Sequence, residues 1–309
     1  SVSTSLYVSL AETVDLTGQP SNCYIINKSN ARYCIDVTRK GEDTEATMSP
    51  ASVAILWETP YKVIEFPKLV DGKAYFYHAI GTDDDEKEFF NHGNALLGAF
   101  DAAGNLLWSW HLWCAEFDPA DEQVELGGEV MMKRNLGAGV VSGTSEEDIL
   151  ASYGVYYQWG RKDPFSNATT VYGPEGNTLD MHSWPSCEGY TIDPVWNAQI
   201  GRKSGDYLYN GTVEFTLSHP ATYISYADEK DISNPNQTWL RSDVPGHQND
   251  RLWGTYFEKE AVGAATVLLS KSAFDPCPAG YRIPLIAPLK FTGNDVESYT
   301  TEGVWLYVD

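Results

Sequence analysis

The chain has 309 residues, 42% hydrophobic and 13% aromatic, which is ample for packed cores and excludes wholesale disorder. Its 21 basic and 43 acidic side chains give a formal net charge of −22, so nucleic acid and anionic lipid are poor partners. No apolar run reaches the ~18 residues of a membrane span; with no signal peptide and no initiating Met, Ser1 reads as the start of a processed or trimmed chain.

The length exceeds what one core usually serves, so two domains are expected. Short runs rich in β-branched and aromatic residues, punctuated by Gly, Pro, Asn and Asp, predict eight strands in the first part. They are Ser5–Ser9, Cys23–Asn27, Tyr33–Val37, Ser52–Glu58, Val63–Phe66, Lys73–Ile80, Ala95–Asp101 and Leu106–Cys114. Such spacing predicts an antiparallel β-sandwich over residues 1–126.

The turn-like Asn27-Lys28-Ser29-Asn30 would set Cys23 opposite Cys34 across a hairpin, where a disulfide forms only with suitable geometry. Cys114, Cys187 and Cys277 then leave an odd count, so at least one thiol is expected to be free and buried. Asp83-Asp84-Asp85-Glu86-Lys87-Glu88 lacks the spacing of an EF-hand loop and reads as a solvated turn. The clearest unit is the hairpin Ala95–Cys114, with its turn at Asp101–Asn105. In its second strand Trp108, Trp110, Leu112 and Cys114 share one face, and Leu107, Ser109, His111 and Trp113 the other. A lone His between tryptophans is expected to be packed and hydrogen-bonded rather than a ligand.

Asp118–Gln123 is polar and proline-bearing, and reads as a linker. Beyond it, Ser145-Glu146-Glu147-Asp148 predicts a capped helix running to Tyr153. Brief strands are predicted at Gly211–Leu217 and Ala265–Ser270, within long stretches dense in Gly, Pro, Asn and Trp. Residues 127–309 are thus expected to form a loop-rich α+β domain, the whole being mainly β plus α+β.

Three motifs carry a family resemblance: Met131–Ala138 (MMKRNLGA), Tyr157–Phe165 (YQWGRKDPF) and Asp275–Pro284 (DPCPAGYRIP). With Ser21–Ile26, Val53–Glu58, Leu107–Trp113, Ser218–Ile224 and Leu252–Gly254, the chain resembles the fimbrillin-like and major-paralogous-domain surface lipoproteins of Bacteroidetes type over about residues 21–284. The resemblance implies an Ig-like sandwich followed by a domain similar to C-type lectins and formylglycine-generating enzymes. After Pro284 the sequence departs from what such domains usually continue with.

The resemblance implies an exported, outer-membrane surface protein, lipid-anchored from outside this chain, that binds rather than catalyses. An adhesin or fimbria-associated lipoprotein recognising a glycan or protein is the first expectation. A lipoprotein docked on an outer-membrane, TonB-dependent nutrient importer is the second, and a hydrolase or modifying enzyme the third. Arg134, Trp159, Arg161, Lys162, Asp163, Cys277 and Arg282 lie inside the motifs, and charged residues among Trp, Gly and Pro are expected to clamp loops. Trp184, Trp196, Trp239 and Trp253 are the candidate ligand-binding residues, because flat indoles on loops suit sugar faces and protein anchors. No zinc spacing, phosphate loop or hydrolase motif occurs, so no metal or cofactor is expected. Calcium stays open, since Asn234-Pro235-Asn236 and Asn249-Asp250 partly resemble the calcium-dependent sugar site of C-type lectins.

Overall fold

The computed structural model describes residues 12–126, 129–168, 170–173, 176–180, 197–200, 212–226, 239–240, 252–257, 266–268 and 271–283. In chain order the strands are β1 (Thr13–Asp15), β2 (Cys23–Ile26), β3 (Arg32–Asp36), β4 (Arg39–Lys40), β5 (Asp43–Thr47), β6 (Ser52–Thr59), β7 (Ile64–Val70) and β8 (Lys73–His78). They continue with β9 (Ile80–Thr82), β10 (Glu88–Phe90), β11 (Gly93–Phe100), β12 (Leu106–Cys114), β13 (Gln123–Leu126), β14 (Glu129–Met132), β15 (Thr170–Tyr172) and β16 (Thr178–Asp180). Two further pairs are β17 (Asn197–Ile200) with β18 (Tyr223–Tyr226) and β19 (Thr255–Phe257) with β20 (Thr266–Leu268). Helices α1 (Glu146–Tyr153) and α2 (Val213–Ser218) are short, so the described chain is mainly β.

Two larger sheets dominate, one ordered β1-β3-β8-β7 and one β16-β15-β6-β11-β12-β2. One hydrophobic core serves both. Tyr33, Ile35, Ala74 and Phe76 of the first sheet meet Tyr24, Ile26, Ala95, Leu97, Trp108, Trp110 and Leu112 of the second. The predicted alternation along β12 is the reason: its even-numbered side chains turn toward that core. The β11–β12 hairpin closes at Asp101, whose carboxylate accepts the amides of Ala103 at 2.9 Å and Asn105 at 2.8 Å.

Several expectations need correction. The sheets are not wholly antiparallel, because β1 pairs parallel with β3 and β2 parallel with β12. Cys23 and Cys34 do not face each other: both are free thiols, one in each sheet. The Asn27–Asn30 turn closes no hairpin but carries the chain from one sheet to the other, so that Ile26 and Tyr33 both reach the shared core. Cys114 and Cys277 are also free and buried. The boundary predicted at 126/127 lies between the paired strands β13 and β14, and β15 and β16 from beyond it join the six-stranded sheet.

Helix α1 is capped as predicted, with Ser145 Oγ accepting the Asp148 amide at 3.0 Å and three acidic residues in the first turn. Val213–Ser218 is helical rather than extended. Thr212 caps it through the Phe215 amide at 3.1 Å, and Phe215 stacks on His219 with ring centroids 4.1 Å apart. The predicted strand Ser5–Ser9 lies outside the described residues.

Candidate functional site

The face of β12 turned away from the shared core is also buried, and it carries polar groups. His111 is 1% exposed and Ser109 0% exposed. Apart from Asn94 of β11, their partners come from the segments that carry the sequence motifs. Asn94 Nδ2 donates to the carbonyl of Gly137 at 3.0 Å, which leaves its Oδ1 to accept from His111 Nε2 at 2.8 Å. His111 Nδ1 is then the acceptor, with Cys23 Sγ and the Tyr157 hydroxyl each at 3.4 Å. Burial pushes His111 down to about 3 and raises the Cys23 thiol and the Tyr157 phenol. A nucleophilic Cys–His pair needs a lowered thiol pKa and access. Here both partners are neutral and sealed, so the pair joins β2 to β12.

Lys162, 2% exposed, sits beside Ser109. Its Nζ donates to the Ser109 carbonyl at 3.0 Å, to Ser109 Oγ at 2.6 Å and to Asp163 Oδ1 at 2.6 Å, while lying 4.5 Å from the centroid of the Trp108 ring. Ser109 Oγ in turn donates to Asp163 at 2.7 Å. Burial lowers the Lys162 ammonium, and the adjacent Asp163 carboxylate opposes that shift.

Arg161 holds four backbone or side-chain oxygens: Gln158 Oε1 at 2.9 Å and the carbonyls of Thr222 at 2.6 Å, His219 at 3.2 Å and Pro220 at 2.9 Å. Arg134 grips Glu122 with two nitrogens, at 2.5 and 2.8 Å, and donates also to the Gly139 carbonyl. That pairing lowers the Glu122 carboxyl. Arg282 donates to the Gly254 carbonyl at 2.9 Å. In the Asp275–Ile283 loop the buried Asp275 carboxylate accepts the amides of Cys277 at 2.8 Å and Ile283 at 3.0 Å. Burial raises that carboxyl and the Cys277 thiol alike. Asn22 ties this loop down by donating to the carbonyls of Ala273 at 2.7 Å and Asp275 at 2.9 Å. The motif charges thus act as clamps on loops, and the neutral residues Asn22, Asn94 and Tyr157 complete the network.

The aromatic candidates divide differently from expectation. Trp239 and Trp253 are each only 4% exposed. Their indole N–H groups donate to the carbonyls of Trp159 at 2.6 Å and Arg161 at 3.0 Å, so they are supports and not a contact surface. Trp184, Trp196, Asn234–Asn236 and Asn249–Asp250 lie outside the described residues. Trp159, read as a motif residue, is the indole that reaches solvent among the described residues: it is 37% exposed and packs on Trp253 with centroids 4.7 Å apart. Gly160, at φ +87°, turns the chain directly after it. Among the described residues no group of three or more His, Cys, Asp or Glu side chains could hold a metal ion.

Compared with known protein families, with curated proteins and with solved structures, the chain finds no match in any of the three.

Proposed function

We propose that the chain is a non-catalytic, exported cell-surface binding protein, an adhesin or fimbria-associated lipoprotein, that recognises a glycan or protein through the loops around Trp159. In this reading the two core-sharing sheets are an Ig-like sandwich and the clamped loops beyond them a lectin-like region. One observation carries the proposal: an exposed Trp159 indole is held in place from beneath by Trp253 and through its own carbonyl by Trp239. A flat aromatic group with little freedom to lose is suited to stacking on a sugar face or filling a partner's pocket. The clamp residues support the same reading, since Arg161, Lys162 and Asp163 are committed to their neighbours rather than turned toward a substrate.

A glycan array probed with and without calcium, alongside Trp159→Ala, tests this. Binding that Trp159→Ala abolishes is the expected result; no binding under either condition removes the glycan reading. Purification from native membranes in mild detergent covers the protein-partner alternative. Stoichiometric recovery of a transporter would replace the adhesin with an importer subunit.

A further inference from the structure

A second surface lies on the four-stranded sheet, on the face opposite the core. Strand register places Tyr77 between Arg32 of β3 and Glu65 of β7, and Tyr75 between Cys34 and Lys68. Ala74, Phe76 and His78 are buried, so the alternation turns Tyr75 and Tyr77 outward, about 7 Å apart along the strand. Phe66, 57% exposed, meets Tyr77 edge-on at 6.3 Å, and the Arg32 guanidinium lies 5.1 Å from the Tyr75 ring centroid. Among the described residues, three aromatic rings therefore stand together on the outer face of this sheet, Phe66 exposed and Tyr75 and Tyr77 partly so.

Three observations decide what such a face would take. First, its charges balance. Arg32, Lys68 and Lys73 share the face with Asp15, Asp36 and Glu65, although in the whole chain acidic residues outnumber basic ones 43 to 21. A balanced face offers no field for a charged ligand. Second, β7 is an edge strand, yet it carries Pro67 and a register shift between Glu65 and Lys68, with Phe66 at φ +52°. Proline has no amide hydrogen to give and the bulge breaks the ladder, so a partner strand is not accepted there. Third, a second copy of the chain would bring another −22 charges against the first.

We propose that this face is a second binding surface whose occupant is an uncharged polysaccharide, with the apolar faces of its sugar rings against Tyr75, Tyr77 and Phe66. Arg32 and Lys68 at its borders supply donors for hydroxyl oxygens. The surface is independent of Trp159, which belongs to the clamped loops.

Affinity electrophoresis of the whole chain through gels holding a mixed-linkage β-glucan, a galactomannan, dextran or polygalacturonate tests the proposal. Retardation is expected in at least one neutral gel and not in polygalacturonate. Phe66→Ala and Tyr77→Ala should each weaken it about tenfold or more, and Trp159→Ala should leave it unchanged. Phe66 is exposed, so that variant is expected to keep the wild-type melting temperature and to separate binding from folding. No retardation in any neutral gel, retardation indifferent to Phe66→Ala, or equal retardation in polygalacturonate overturns the proposal. So does a dimer in sedimentation equilibrium that Phe66→Ala dissociates, because the occupant would then be a second copy. Loss through Trp159→Ala alone overturns this surface while leaving the Trp159 site standing.

Discussion

Asn22 accepts the indole N–H of Trp108 at 3.0 Å while both protons of its own amide go to the carbonyls of Ala273 and Asp275. One buried side chain therefore joins β12 to a loop more than 250 residues beyond Asn22 itself. Asn22→Ala would leave a donor and two acceptors unpaired, and should lower unfolding stability by about 2–4 kcal/mol in denaturant titration. Asn22→Asp keeps the acceptor for Trp108 but sets a carboxylate oxygen against two carbonyls, so it should be no better. A loss under about 1 kcal/mol for both variants would mean that the loop is held by other contacts.

The buried Lys162–Asp163 pair makes a sharper test, because the two single variants and the double should not add. Lys162→Met strands the Asp163 carboxylate with Ser109 as its remaining donor in this cluster, and should cost about 3–5 kcal/mol. Lys162→Met with Asp163→Leu removes both charges and should recover much of that loss. Additive losses in a double-mutant cycle would show that the two side chains act separately.

Much of the fold was legible, and the exceptions share a cause. The β11–β12 hairpin announced itself by strict alternation and an Asp–Gly–Asn turn, both local signals. The second half of β7 was hidden by Pro67, which argues against a strand interior but is tolerated at an edge with a bulge. Val213, Phe215 and Leu217 mimic strand alternation, and six residues are too few to separate a period of 2 from 3.6. The parallel pairings of β2 and β1 depend on which distant strand arrives beside them, and alternation carries no such information. At the site, Arg134, Arg161, Asp163 and Arg282 could be read as clamps from their chemistry. Their partners could not, since carbonyls such as those of Gly139 and Gly254 have no residue-type signature. Exchange of roles between Trp159 and Trp253 has the same origin: which indole is covered is settled by tertiary packing, not by residue type.

Helix α1 ends at Gly154, whose φ of +71° already disfavours any side chain. A Cβ there would also run into the Leu136 carbonyl, a backbone atom that cannot step aside. Gly104 also has positive φ, +85°, but a Cβ there would meet nothing within 4 Å. Gly104→Ala should therefore cost about 1 kcal/mol, the conformational part alone, and Gly154→Ala clearly more. Paired thermal melts decide it; equal shifts would mean that the 136–154 contact yields.

Acid should weaken the fold through its buried histidines. Folded His111 stays neutral down to about 3, whereas the unfolded side chain takes up a proton near its ordinary 6.5. Between those values the unfolded chain binds more protons, so stability is complete above 6.5 and is lost as the pH falls toward 3. Burial lowers His78 too, which steepens the same slope. Glu58 and Asp275 act oppositely: burial raises both, so their contribution is present below 4.5 and 3.8 and is lost as the pH rises through their folded values. Urea titrations from pH 7 to 5 should show falling stability, at up to about 1.4 kcal/mol per pH unit for each of these two buried histidines. His111→Gln separates the opposing effects, because it removes one histidine's share and leaves both carboxyl groups in place. Its profile should be flatter than that of the wild type across this range. Parallel profiles would show that His111 gains a proton in the folded chain, and hence that the Asn94–His111–Tyr157 network opens before the protein unfolds.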